Sequence, residues 1–336
     1  MGLYYEPRMI APFGTRNSGA GVDIDEKTCN ITVINDAGLF LYVYRNGNYI
    51  EQKIAALNTW KGGAGVSIND NTGAIVAIHE LGLNLYQPSG SGYSESILDR
   101  FHTVKSGADC VFNKATGNIA LVNDVDGLSV QERVGGSYVK RSIDGFSTWR
   151  SGVGIDVNQN NGDIFVVTDH IGGGAGPYPI PSPTPPSDNW PKGDCLARYR
   201  PIGNNRYMKM ILDIPVTWKC GADLDVNDNT GEVVFLTDGG LYWYMPAGDT
   251  YKKTRIGIAY THDEGAAVKI NDETQEIIAV FGDRVYLYIK SGQGYKEEQI
   301  GTADTHNSGV DVDINRRTRE IAVVDNRGLT IYVRRG

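Results

Sequence analysis

Thr217-Trp218-Lys219-Cys220-Gly221-Ala222-Asp223-Leu224-Asp225-Val226-Asn227-Asp228-Asn229-Thr230-Gly231-Glu232-Val233-Val234-Phe235-Leu236 is the stretch whose reading decides the fold. A threonine and three further residues lead to a glycine and a short strand. Asp228 to Gly231 then suits a hairpin turn with a left-handed glycine, and a β-branched apolar strand returns from it. The phrase recurs through the chain. Its threonines are Thr15, Thr59, Thr103, Thr148, Thr217, Thr261 and Thr305, at spacings of 44, 44, 45, 69, 44 and 44. The glycines Gly19, Gly63, Gly107, Gly152, Gly221, Gly265 and Gly309 keep step with them.

Outward from this phrase each unit continues in the same way. The second strand closes on a polar residue, as at Asp36, Glu80, Asp124, Asp169, Asp238 and Asp283. A third, alternating strand follows, such as Leu39-Phe40-Leu41-Tyr42-Val43-Tyr44. A fourth begins at a recurrent tyrosine: Tyr49, Tyr93, Tyr138, Tyr207, Tyr251 or Tyr295. Four antiparallel strands in a repeat of this length form the blade of a β-propeller. The last unit, from Thr305, has only three strands. The missing one is read at the other end of the chain, where Tyr4-Tyr5-Glu6-Pro7-Arg8-Met9-Ile10 matches Tyr49-Ile50-Glu51-Gln52-Lys53-Ile54. Pairing the termini removes an open sheet edge.

The expectation is therefore an all-β chain: a seven-bladed β-propeller of four-stranded antiparallel blades, closed by the N-terminal strand joining the last blade. Residues 1–336 form one domain, with a Gly/Pro-rich insertion loop over 171–194 in blade 4. The chain resembles seven-bladed β-propeller repeat proteins in general, over its whole length. The Gly-His and Trp-Asp marks of WD40 blades and the kelch double glycine are missing, so the resemblance reaches no narrower family.

Composition supports this and bounds the function. The 336 residues include 42 Gly and 19 Tyr, as many short strands and tight turns require. The net charge of −8 argues against general nucleic-acid binding. No apolar run is long enough to span a bilayer. The opening Met1-Gly2-Leu3-Tyr4-Tyr5 is not a signal peptide, so the location is read as cytoplasmic, or secreted if a leader has been removed. A monomer is expected. Cys29, Cys110, Cys195 and Cys220 show no metal-binding spacing; only Cys195 and Cys220 emerge on one face, where they could pair.

Antiparallel order puts the loops from fourth to first strands and from second to third strands on one face, around the mouth of the axial channel. The residues after each threonine then form two rings of differing side chains. Arg16, Trp60, Lys61, Lys105, Trp149, Arg150, Trp218 and Lys219 are candidate ligand-binding groups. Converging cations favour carboxylate, phosphate or sulfate, and the tryptophans suit the apolar faces of sugars, or wedge between blades. All five histidines fall in these loops: His79, His102, His170, His262 and His306. His170 joins the ligand-binding set, beside an insertion that would arch over the mouth. His262, His306 and Asp263 come from adjacent blades and are the candidate acid–base set, or two metal ligands with a third group. No motif implies a cofactor or a resident metal. The Asp and Asn pairs Asp23-Asp25, Asp156-Asn158, Asp225-Asn227 and Asp313-Asn315 look like calcium-loop fragments but read better as caps of hairpin turns. The threonine ring reads as bonding between loops.

Because the mouth residues differ from blade to blade, one asymmetric pocket is favoured over seven equal ones. The first reading is a ligand-binding propeller recognising a polar, anionic small molecule or glycan there. The second is an enzyme of lyase, hydrolase or isomerase type using His262 and His306. The third is a protein-interaction scaffold, which an apolar patch on the same face would favour.

Overall fold

The computed structural model describes residues 4–335 apart from 61, 104–106, 147, 149–152, 169–194, 204–205, 216–220 and 263. Its seven sheets each hold four antiparallel strands. In blades 1 to 6 the sheet order follows the chain, from an inner first strand to an outer fourth. The inner strands are Gly21–Ile24, Gly65–Asn69, Asp109–Phe112, Gly154–Val157, Asp223–Val226, Ala267–Ile270 and Asp311–Ile314. Each touches the next, and the last touches the first, so they form a closed ring around one axis. The chain is a seven-bladed β-propeller, as the repeat predicts.

Closure also follows the expected route. In blade 7, Asp311–Ile314, Ile321–Asp325 and Gly328–Arg335 are completed by Tyr4–Ala11. The register runs Tyr4 opposite Arg335 to Met9 opposite Thr330. Tyr5 is buried among residues of blades 6 and 7, so the terminal strand contributes apolar surface as well as backbone pairing.

The core lies between blades. Second strands such as Ile31–Asn35, Ile119–Asn123 and Val233–Thr237 are buried along their whole length. A neighbouring blade covers each face, which is why these segments read as continuous apolar runs. Fourth strands, at the rim, are largely exposed. Among the described residues there is no helix, and so none long and apolar enough to cross a membrane.

The recurrent threonine and glycine clasp blade to blade. The amides of Gly19, Gly107, Gly221, Gly265 and Gly309 donate to the carbonyls of Thr59, Thr148, Thr261, Thr305 and Thr15, at 2.8 to 3.1 Å. The hydroxyls of Thr15, Thr103, Thr148 and Thr261 donate back to the carbonyls of Gly309, Gly63, Gly107 and Gly221. The second-strand acids join in, with Asp124, Asp238 and Asp283 each accepting from a threonine amide at 2.9 Å.

Candidate functional site

The fourth-to-first and second-to-third loops share one face, called the top here. Successive loops are tied by their backbones. Arg16 bridges Ser308, Ser18 bridges Trp60, and Glu264 bridges His306. The Asn17 amide donates to the Asn307 carbonyl at 2.7 Å, and both asparagines take left-handed backbone conformations. Arg16, Trp60, His262 and His306 are all exposed at this rim, as their position after the threonine predicts. The bridges bring Arg16 and His306 into neighbouring loops. The His306 Nε2 meets the Asn307 side-chain amide at 2.9 Å. Glu264, which the sequence reading passed over, has its carboxylate engaged by the Gly282 amide at 2.9 Å and the Thr305 hydroxyl at 3.1 Å. Lys61, Lys105, Trp149, Arg150, His170, Trp218, Lys219 and Asp263 lie outside the described residues, as do Cys220 and the 171–194 insertion. Cys195 is buried, 3.6 Å from the Thr168 hydroxyl.

Below the rim the axis is acidic. Asp109, Asp223 and Asp311 enter the channel at the same level from blades 3, 5 and 7. Each accepts an amide of the following blade: Ile155 at 3.3 Å, Val268 at 2.8 Å and Val22 at 2.7 Å. Their neighbours leave room for them, since a side chain at Gly65 would strike Asp109 and one at Gly154 would strike Asp223. Burial first, then repulsion within the trio, pushes all three carboxyls up to about 8. One level lower stand Asp23, Asp156, Asp225 and Asp313. They accept from Ile68, Val226, Ile270 and Ile24 of the next blades at 2.7 to 2.9 Å. Lys269 reaches Asp225 at 2.9 Å and Asp313 at 3.8 Å. Burial alone would lower its pKa, but Asp225, Asp313 and Asp156 outweigh this and hold it well above the ordinary lysine value.

This corrects half of the turn-cap reading. Asp25, Asn158, Asn227 and Asn315, the second members of the pairs, do cap the turns through two backbone amides each. Asp23, Asp156, Asp225 and Asp313, the first members, instead staple one blade to the next. Strand alternation turns them into the channel.

The opposite mouth is shut. Glu26, Asp70, Lys114, Gln159, Asp228, Asp272 and Arg316 occupy one repeat-equivalent place in the turns between first and second strands. Lys114 pairs with Asp70 at 2.8 Å. Backbone amides of Lys114, Gln159 and Asp228 donate onward to the side chains of Gln159, Asp228 and Asp272, each at 2.6 Å. Arg316 closes the ring on Asp272 at 2.5 Å, Glu26 at 2.8 Å and Asp228 at 3.2 Å. Burial lifts Asp272 to about 7 in spite of that arginine. The cavity on the axis, between the inner strands, is about 70 Å³. That is room for a few waters, far below the roughly 300 Å³ of an ordinary ligand pocket. The spacing that locates the top rim also locates this ring, eleven residues after each threonine.

No family model matches the sequence, and no curated protein matches it. Among solved structures, the chain is similar to the extracellular domain assigned to a one-component system of B. thetaiotaomicron. The TM-score is 0.61 and the identity 14%, over 98% of this chain and 39% of that one. A second structure, described as the extracellular domain of a hybrid two-component system of the same organism, gives a TM-score of 0.61 at 14% identity, over 98% and 40%. At such identity the likeness is one of fold. The chain spans about two fifths of the length of these structures.

Proposed function

We propose that this propeller is a recognition module that binds a polar, anionic small molecule or glycan at its top mouth. The observation that carries this reading is the inequality of the two ends. The lower mouth is sealed by a hydrogen-bonded and ion-paired ring from seven blades, whereas the top rim presents Arg16, Trp60, His262 and His306 to solvent from loops tied together by their backbones. An anion's place is at the rim, near Arg16 and His306, and not on the axis, which the aspartates make hostile to negative charge. The structural neighbours, extracellular domains of one- and two-component systems, fit a recognition role.

The test is calorimetric titration of the protein with a panel of sugar acids, sugar phosphates and sulfated sugars. An Arg16→Ala, His306→Ala double variant is expected to weaken the best binder by about tenfold or more, as loss of a charge-assisted hydrogen bond implies. Undiminished affinity in that variant, with its melting curve unchanged, would overturn the reading.

A further inference from the structure

A cavity lies away from both mouths, in the cleft between blades 3 and 4 beside the lower ends of their outer strands. It holds about 170 Å³. It lies beside a local departure from the repeat. The hairpins joining third to fourth strands have two residues in blades 1, 2, 3, 5 and 6: Asn46-Gly47, Gly90-Ser91, Gly135-Gly136, Gly248-Asp249 and Gly292-Gln293. In blade 4 the corresponding strands, Cys195–Pro201 and Tyr207–Asp213, are separated by residues 202–206. Gly203 and Arg206 of this longer hairpin line the cleft.

The lining has a definite chemistry. Arg206 is exposed at the opening, and its guanidinium has no ion-pair or hydrogen-bond partner among the described residues. Across the cleft, Arg141 is already matched to Glu132. Asn118 spends its side-chain oxygen on the Arg133 amide, at 2.9 Å, which leaves its amino group turned to other acceptors. Val130, Ile143 and Pro201 give an apolar floor, and Tyr207 adds a ring face.

We propose that this cleft is a second binding site, for a hydroxylated monocarboxylate of single-sugar size such as a uronic acid. A guanidinium fork matches a carboxylate in a bidentate pair. The tyrosine ring and aliphatic floor suit the C–H face of a sugar ring, and the Asn118 amino group offers a donor to its hydroxyls. The volume limits the occupant to one ring. The site is independent of the top-rim reading, because no residue is shared between them.

Calorimetric titration of the whole chain with glucuronate, and with glucose as the uncharged comparator, tests this. Saturable glucuronate binding is expected, weakened about ten- to a hundredfold by Arg206→Ala and only partly restored by Arg206→Lys, which lacks the fork. In the Arg16→Ala, His306→Ala variant, where any contribution of the rim is removed, glucuronate binding that depends on Arg206 is expected to persist, so failure at one site is separable from failure at the other. Arg206 is exposed, and an unchanged melting curve for Arg206→Ala checks that the fold is kept. No saturable binding of glucuronate, equal binding of glucose, or full affinity in Arg206→Ala would each overturn the proposal.

Discussion

Six of the seven third strands carry a buried tyrosine at one fixed place: Tyr42, Tyr86, Tyr199, Tyr244, Tyr288 and Tyr332. Each hydroxyl must find an acceptor, and the chain answers in two main ways. Tyr42, Tyr86 and Tyr288 bond Glu51, Glu95 and Glu297, directly across on their own fourth strands, at 2.8 to 3.2 Å. Tyr199 and Tyr244 instead bond Asp144 and Asp213 of the preceding blade, at 2.6 and 2.5 Å. There the cross-strand place belongs to Lys209 and Lys253, which pair with the same aspartates. Lysine opposite the tyrosine thus goes with an acid on the neighbour. Gln131 of blade 3 breaks the run, and its buried Nε2 has no hydrogen-bond partner among the described residues. Tyr244→Phe is expected to destabilise the protein by about 1.5–3 kcal/mol, the worth of a hydrogen bond to a charged group. The lower end is expected because Lys253 still holds Asp213, and urea denaturation measures it. These residues stand in the sequence at constant spacing, yet their meaning was not legible there. It requires knowing which blade each face meets.

At the scale of the element, the clasp between loops explains why glycine recurs after each threonine. A Cβ on Gly309 would sit 2.5 Å from the Ala20 nitrogen and 2.5 Å from the Ser18 carbonyl oxygen; one on Gly265 would sit 2.4 Å from the Ser308 carbonyl oxygen. These are backbone atoms of the next blade and cannot swing aside. Gly309→Ala is therefore expected to cost about 1–3 kcal/mol through overpacking. Gly92→Ala, where nothing lies within 4 Å, is expected to be nearly neutral. Thermal melts of the two variants decide this. The period of the glycines was readable in the chain, and it gave the blade count. Their reason was not, because it is a contact between residues one repeat apart. The inner-strand aspartates show the same limit. Asp225 and Asn227 look alike as a polar pair, but one is stapled to Ile270 and the other caps its own turn.

For the molecule as a whole, the carboxylates on the axis set a pH dependence with a definite sign. Asp109, Asp223 and Asp311 have an ordinary value of 3.8 unfolded and about 8 folded. The folded state binds their protons more tightly, so their stabilising contribution is complete below the unfolded value. It falls as pH rises, and it is gone above about 8. Lys269, raised in the folded state, keeps its contribution until pH passes the unfolded 10.5, and Asp213, lowered, loses its own only below 3.8. Neither acts in the window between. The urea midpoint is thus expected to be lower at pH 9 than at pH 5, and Asp311→Asn is expected to flatten that slope. A steeper or unchanged slope in the variant would refute the assignment. Of the candidate site, the loops that follow each threonine were legible, and Arg16, Trp60, His262 and His306 are exposed in them. The sealed lower mouth and the acidic axis were not, since the turn chemistry of Asp and Asn offers a sufficient local explanation for residues whose work is done between blades.

The seventh sheet joins Glu6 to Arg335, 329 positions apart. On a ribosome adding about 5–20 residues per second, the first strand leaves the exit tunnel on the order of 20–60 s before its partner is made. Blades 1 to 6 can stack in order during that interval, while Tyr4–Ala11 waits with its hydrogen-bonding edge uncovered. The first-made strand of the propeller is thus the last to be seated, and the wait exposes the nascent chain to pairing with a neighbour on the same message.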